Sequence, residues 1–279
     1  MSIGARSLQR SSIVLMLLGI SMLSWAYVAS MDDHGMDVGV LLQPRTATAD
    51  ETDSMTMDMP GMDMSGMDMT PAAEEDHGMS LPVFLTGWVV MMAAMMFPAV
   101  IPVVLLVSRW SRSQAQPPYR LAAFVGGYLL VWGAAGAVYF AAIDVIDSRF
   151  PSGPDGVRLA AAMLLLAGIY QLTPLKEVCL TACRSPMGFL MTHGSRMSRG
   201  SIGYLEVGAR HGLFCLGCCW MLMLILVLLG VMNLFWMAVI AGVIFLEKVV
   251  PAGPALARFA GGTVIACGAA LLISPALVL

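Results

Sequence analysis

Seven apolar stretches dominate the sequence and restrict what the chain can fold into. They cover residues 13–29, 82–107, 119–143, 157–172, 213–231, 234–250 and 256–277. Because a helix needs about 20 mostly apolar residues to cross the hydrocarbon of a bilayer, each stretch is a candidate transmembrane helix. Charged residues make up only 12% of the chain, against about 25% in soluble domains. The sequence therefore predicts an all-α, polytopic bundle of transmembrane helices.

The first apolar stretch has two interpretations. Arg6 and Arg10 precede it and small residues follow it near Ala29, a pattern that fits a cleaved signal peptide as well as a retained anchor. We therefore expect an N-terminal anchor or signal peptide at 1–30, with the anchor preferred. A disordered extracytoplasmic segment follows at 31–80 and a six-span membrane domain at 81–279. A retained first helix would add a seventh span.

The distribution of basic residues predicts the orientation. Twelve Lys and Arg residues lie on one side of the predicted spans, whereas only Arg45, Arg149 and Arg158 lie on the other. Cytoplasmic loops carry the excess of basic residues, so the first group marks the cytoplasm. We expect a multi-pass protein of a bacterial-type inner (plasma) membrane, with 31–80 outside and a Cys-rich connection, 173–212, inside.

The segment 31–80 carries a methionine–aspartate repeat. It reads "DSMTMDMPGMDMSGMDMT" at 53–70 and is flanked by two copies of "DHGM". So much Asp, Gly and Pro cannot form a packed core, whereas thioethers are soft ligands that select Cu(I). The alternative is a solvated acidic tail. The candidate residues for external metal capture are His34, Met36, Met57, Met59, Met62, Met64, Met67, Met69, His77 and Met79.

The second apolar stretch contains "WVVMMAAMMFP", which places two methionine pairs one helical turn apart. Met91 and Met95 share one face, and Met92 and Met96 share the next. Stacked thioethers can hold a soft monovalent ion inside a membrane, but methionine also fills gaps in apolar packing. Both a soft-metal site and apolar packing therefore stay open for these four residues.

Five of the six cysteines lie in or near the predicted cytoplasmic connection, where thiols stay reduced. At about 100° per residue, His211, Cys215 and Cys218 fall within about 60° of one another on a helix. Thiolate and imidazole suit Cu(I) or Zn(II), with copper favoured by the methionines. Dithiol redox chemistry and inert packing are the alternatives; Cys267 is expected in the core. The predicted metal ligands are Cys179, Cys183, His211, Cys215, Cys218 and Cys219.

Charged residues flank these cysteines. Lys176, Glu177, Glu247 and Lys248 lie at predicted helix ends. They either snorkel to the membrane interface or orient the ligands and compensate the charge of a thiolate cluster.

Three motifs carry a resemblance to a known family. "WVVMMAAMMFP", "GIYQLTPLKEVCLTACRSP" and "RHGLFCLGCCWMLM" resemble the predicted metal-binding integral membrane proteins known as domain-of-unknown-function family 2182. The resemblance covers about 82–276 and implies a polytopic inner-membrane bundle with a metal site. It implies roles for Met92, Met95, Met96, Lys176, Cys179, Cys183, His211, Cys215, Cys218, Cys219, Glu247 and Lys248.

The order of the ligands predicts copper handling. Thioethers and carboxylates lie outside, thioethers mid-membrane, and thiolates with imidazole inside, so affinity for Cu(I) rises inward. We expect capture outside and relay to the cytoplasmic Cys/His site, for uptake or for delivery to a copper chaperone or cuproenzyme; export would use the same ligands in reverse. No phosphate-binding loop or phosphorylation motif of an ATP-driven pump occurs.

Two rival functions follow from the same residues. One is a membrane oxidoreductase or a metal-containing subunit of a membrane oxidase or monooxygenase; the other is a structural partner of another copper protein. The sequence singles out no catalytic residue and no nucleic-acid partner, and it leaves the oligomeric state open.

Overall fold

The computed structural model of the protein describes residues 3–32, 80–114, 116–149, 154–229 and 234–273. These ranges are almost wholly helical and contain no strand, which confirms the all-α prediction. The helices are α1 (Ile3–Asp32), α2 (Leu81–Ser113), α3 (Tyr119–Arg149), α4 (Pro154–Gln171), α5 (Pro174–Arg184), α6 (Pro186–His193), α7 (Ser201–Leu229), α8 (Leu234–Val249) and α9 (Gly253–Ile273), with a 3₁₀ turn at Gly194–Arg199.

Five helices in the described ranges are long and apolar enough to cross a membrane: α1, α2, α3, α7 and α9. A sixth span arises if α4 and α5, bent by 61° at their junction, count as one. The predicted span at 234–250 corresponds to α8, whose 16 residues extend about 24 Å, less than the roughly 30 Å hydrocarbon layer. The chain is thus a multi-pass helical protein with five or six candidate spans in its described part.

A proline in α2 provides the attachment site for α1. Pro98 lacks an N–H group, so the carbonyl of Ala94 loses its normal helical donor. Two side chains of α1 replace that donor: the Ser21 hydroxyl donates at 2.7 Å and the Trp25 indole N–H at 3.2 Å. Because an unpaired carbonyl inside an apolar bundle is costly, these bonds stabilise the α1–α2 pair.

Helices α3 and α7 approach each other at two glycines. A Cβ atom on Gly127 would collide with the backbone of Leu205, and one on Gly208 would collide with the backbone of Phe124. Small residues at such positions let helix backbones pack closely in membranes. The close approach brings the aromatic face of α3 against the cysteine-bearing part of α7.

Helix α7 begins at Ser201, well before the predicted start of the span at residue 213. The additional turns of the helix include the charged residues Glu206 and Arg210. In the structure Glu206 accepts from Arg196 at 3.2 Å, Arg199 at 2.9 Å and Arg210 at 3.3 Å. These ion pairs satisfy the Glu206 carboxylate, and one helix runs through the charged residues into the apolar run.

Candidate metal centre

Three cysteines line the buried face of α7. Cys215, Cys218 and Cys219 are each almost wholly inaccessible, and all six cysteines of the chain are free thiols. The thiols of Cys218 and Cys219 donate to the carbonyl of Cys215, with sulfur–oxygen distances of 3.0 and 2.9 Å. These bonds hold both sulfurs along α7 itself.

Helix α5 brings a second pair of cysteines to α7. Thr173 caps its N-terminus by accepting from the Lys176 amide, and Pro174 occupies the first turn, so the chain breaks after α4 and restarts at an angle. The Cys183 sulfur lies 4.0 Å from that of Cys218. The Cys179 sulfur rests against Gly217, where a Cβ atom would lie 2.7 Å from it. Glycine at 217 therefore permits this close crossing.

Helix α8 contributes a cation to the cysteines. The Lys248 ammonium donates to the Cys215 sulfur at 3.1 Å and to the Met96 sulfur of α2 at 3.7 Å. One positive charge thus contacts soft sulfur atoms from two different helices. Met91, Met92 and Met95 are buried in the same core, but Met96 is the methionine whose sulfur this ammonium contacts.

Aromatic side chains close the site on the α3 side. The Tyr128 hydroxyl lies 3.2 Å from the Cys215 sulfur. His211, one turn before Cys215, is buried among the rings of Phe124, Tyr128 and Phe189. Its Nδ1 atom has no hydrogen-bond partner among the residues that the structure describes. Because an unpaired buried nitrogen costs about 1–3 kcal/mol, this imidazole keeps an unused lone pair or donor at some expense in stability.

A buried polar cluster lies beside the site where α4, α5 and α8 meet. The Lys176 ammonium pairs with the Glu247 carboxylate at 2.7 Å and also donates to the Gln171 carbonyl oxygen. The Gln171 amide donates back to Glu247 at 3.4 Å. Arg184 donates to the carbonyls of Glu247 and Val250 at the end of α8, at 2.5 and 2.6 Å. These contacts fix α8, and with it Lys248, against α5.

The sulfur atoms do not yet enclose a metal position. In the described part of the chain, no three His, Cys, Asp or Glu side chains converge closely enough to hold an ion. The hydrogen bonds of Cys218 and Cys219 to the Cys215 carbonyl explain this, because they turn both sulfurs along their own helix. Rotation about the Cα–Cβ bonds would be needed to bring a third sulfur to the Cys183–Cys218 pair.

The structure thus brings together part of the predicted site. Cys183, Cys215, Cys218, Met96 and Lys248 are linked by direct contacts, whereas Cys179 lies against Gly217. Glu177 is largely exposed and lies 3.8 Å from Arg258 at the surface. Cys267, expected in the core, is exposed on the outside of the bundle. The external capture residues His34 to Met79 lie outside the described residues.

The sequence interpretation put the cysteines at the inner mouth of the bundle and the α2 methionines in mid-membrane. Cys215 lies in the middle of α7, about 21 Å along the axis from Ser201. Met96 lies about 22 Å along α2 from Leu81. The Met96 thioether and the Cys215 thiol belong to one cluster, since Lys248 contacts both.

Sequence reasoning missed several contributors. Tyr128, Gln171 and Arg184 were not predicted, although Gln171 and Arg184 lie within the quoted cysteine motif. For Gln171 the available signal was a glutamine two residues before the Thr173-Pro174 helix start. For Tyr128 the signal was its position one residue from the close-packing Gly127.

Comparison with known proteins identifies the family. The PpoB2 family, described as a copper chaperone, matches residues 85–271, which include every cysteine, His211, Met96 and Lys248. No curated protein and no solved structure matches the chain. A match over about two thirds of the sequence shows that the chain belongs to the PpoB2 copper chaperone family.

Proposed function

We propose that the protein is a membrane-embedded copper chaperone that carries Cu(I) on the cysteine sulfurs where α5 crosses α7. The separation of the Cys183 and Cys218 sulfurs, 4.0 Å, is the observation that supports this most strongly. At a metal–thiolate distance of about 2.3 Å, such a pair would subtend an angle of about 120° at the ion. That angle is the one required by three-coordinate ligation, with Cys215 or the Met96 thioether as the third ligand.

Charge balance explains the presence of Lys248. Two thiolates and Cu(I) carry a net charge of −1, which is costly inside an apolar bundle. The Lys248 ammonium, already in contact with Cys215 and Met96, would bring this sum to zero. Methionine as a third ligand adds no charge, so the set of two thiolates, one thioether and one ammonium is neutral when copper is bound.

The resting arrangement suits a carrier that must release its cargo. Before loading, Cys218 donates its proton to a backbone carbonyl and Cys215 contacts an ammonium. Loading would release the thiol protons of Cys183 and Cys218 to solvent and form two copper–thiolate bonds. Release of copper would return those protons and restore the resting contacts. In the empty site the Cys215 and Cys218 sulfur atoms therefore already have partners within the protein, which lowers the free-energy difference between the loaded and empty states.

The capture of copper and its passage to the cysteines are proposed from the sequence. We propose that the Met-, Asp- and His-rich segment at 31–80 captures copper outside the cell membrane. The bundle then passes the ion inward, to the cytoplasm or to an acceptor protein. The supporting observations are the positive charge excess on one side of the spans and the rise of ligand softness from the repeat to the cysteines.

Competition for Cu(I) against a chromophoric chelator tests the site. Purified wild-type protein should withhold one equivalent of Cu(I) that Cys183→Ser and Cys218→Ser variants lose, with affinity falling at least about 100-fold, beyond the 10–100-fold typical of lost supporting contacts. Lys248→Met should fall within that 10–100-fold range. Cys267→Ser is the matched control, since its sulfur lies on the outside of the bundle. Equal retention by all four variants would refute the proposed ligands.

Orientation requires a separate experiment. A cysteine introduced by Ser65→Cys, in the repeat, should react with a membrane-impermeant maleimide added to intact cells. The exposed Cys267→Ser background removes the competing surface thiol. Labelling only after the cells are opened would reverse the proposed direction of capture.

A further inference from the structure

A groove with two arginines lies at one end of the α1–α2 pair, and none of the six cysteines lines it. Its volume is about 500 Å³, which is within the range of ligand sites. Its apolar wall includes Ile101, Leu105, Leu106 and Met187, and Arg10 and Arg109 stand at its rim. Helix α6 provides Met187 and closes the groove on one side.

The two arginines line the same groove because α1 and α2 run antiparallel. Ser21 contacts Ala94, whereas earlier residues of α1 line the groove together with later residues of α2. The N-terminal part of α1 and the C-terminal part of α2 therefore end at the same side of the bundle. Two guanidinium groups separated by almost a hundred residues in sequence thus share one rim.

These two positive charges are not neutralised within the described part of the chain. Both side chains are exposed, and neither makes an ion pair or hydrogen bond with a described residue. Other arginines of the described ranges are paired: Arg196 and Arg199 with Glu206, and Arg258 with Glu177. The groove therefore combines an apolar wall of partly exposed side chains with a charge of +2 that the described residues do not balance.

We propose that this groove binds one anionic phospholipid. The headgroup phosphate would lie between Arg10 and Arg109, since a guanidinium matches phosphate with paired hydrogen bonds. One acyl chain would lie along Ile101, Leu105 and Leu106. A free phosphate would gain only the charge interaction, whereas a lipid gains charge and apolar contact together. Basic pockets between helices at the cytoplasmic side are suited to anionic headgroups.

The expected selectivity follows from the charges. Each basic residue near an anionic headgroup contributes about 1 kcal/mol, which corresponds to roughly a fivefold preference. Two arginines should therefore give a preference of up to about 30-fold for phosphatidylglycerol over phosphatidylcholine. Removing both guanidinium charges should abolish that preference and leave apolar binding. The proposal is independent of copper, so Cu(I) retention should be unchanged.

Native mass spectrometry of the full-length protein in detergent, with equimolar phosphatidylglycerol and phosphatidylcholine, tests the proposal. Wild-type protein and the Arg258→Gln control should retain phosphatidylglycerol selectively, and Arg10→Gln/Arg109→Gln should not. Arg10→Lys/Arg109→Lys, which keeps the charge, should retain part of the preference. Equal retention of both lipids by wild type, or unchanged selectivity in the double Gln variant, would overturn it. Displacement of the lipid by millimolar inorganic phosphate would instead identify a soluble-anion site and also overturn it.

Discussion

Replacing Lys176 with methionine removes the ammonium that pairs with Glu247 inside the bundle. The two side chains are 1% and 2% exposed, and the nitrogen–oxygen distance is 2.7 Å. Methionine keeps most of the lysine volume, so the perturbation is one of charge. Glu247 retains the Gln171 amide as a donor, but a single neutral hydrogen bond does not compensate a buried carboxylate.

The size of the effect can be worked out from the carboxyl group. In the variant the carboxylate must either stay charged and unpaired or take up a proton. The ordinary pKa of a glutamate side chain is about 4.3, so holding the carboxyl group protonated at pH 7 costs about 3.7 kcal/mol. Breaking a buried ion pair by removing one partner costs about 3–5 kcal/mol, which agrees. At about 2–4 °C per kcal/mol, the melting temperature should fall by about 7–15 °C.

The pH dependence identifies the cause. The folded variant keeps the Glu247 carboxyl protonated, whereas the unfolded chain loses that proton above a pKa of about 4.3. The free energy of unfolding of the variant therefore falls as the pH rises above about 4.3. At pH 5 the penalty should shrink to about 1 kcal/mol, or about 2–4 °C. A merely steric defect would be the same at both pH values.

Tryptophan-fluorescence melting in detergent, at pH 5 and pH 7, provides the assay. Arg258→Met is the control, because its partner Glu177 lies 3.8 Å away at the surface, with side chains 65% and 60% exposed, where an ion pair contributes at most about 1 kcal/mol. Lys176→Met/Glu247→Gln should recover most of the loss, since two neutral amides can then bond each other. A deficit that is equal at both pH values, or no recovery in the double variant, would refute the reasoning.

Three further predictions concern helix packing and the external segment. Gly217→Ala should displace Cys179, separate α5 from α7 and weaken Cu(I) binding about tenfold in the chelator competition. Gly126→Ala is the control, because its added Cβ atom would meet no atom within 4 Å, and it should leave Cu(I) binding unchanged. Ser21→Ala should lower the melting temperature by about 2–4 °C through the loss of one buried hydrogen bond. This prediction requires that the intact mass of the wild-type protein include α1, and a mass that lacks α1 would contradict a role for the Ser21–Ala94 hydrogen bond. Deleting 33–79 should remove only weak copper equivalents in titration, so loss of the tightest equivalent would assign that site to the repeat.

The helical nature of the chain and part of its cysteine cluster could be predicted from local sequence. Uninterrupted apolar runs define most spans, because hydropathy acts within a single helix. The spacing of Cys215 and Cys218 predicted a shared face of the helix, and both side chains are buried on α7. Such features depend only on residues within one helix.

The contacts that complete the site could not be predicted in this way. Lys248 and Cys215, or Lys176 and Glu247, are joined only by the packing of separate helices. Four methionines in α2 have equivalent local patterns, and only the position of α8 distinguishes Met96. The early start of α7 depends on three arginines gathering around one glutamate, which single-helix hydropathy counts as a barrier.

X-ray absorption at the copper edge of the Cu(I)-loaded protein tests the central proposal most directly. Wild-type and Cys267→Ser proteins should show the same shell of about two or three sulfur atoms at about 2.3 Å, without a dominant nitrogen or oxygen contribution. Cys183→Ser/Cys218→Ser should lose that shell. A shell dominated by nitrogen or oxygen in wild type, or an unchanged sulfur shell in the double variant, would contradict copper binding at the α5–α7 crossing.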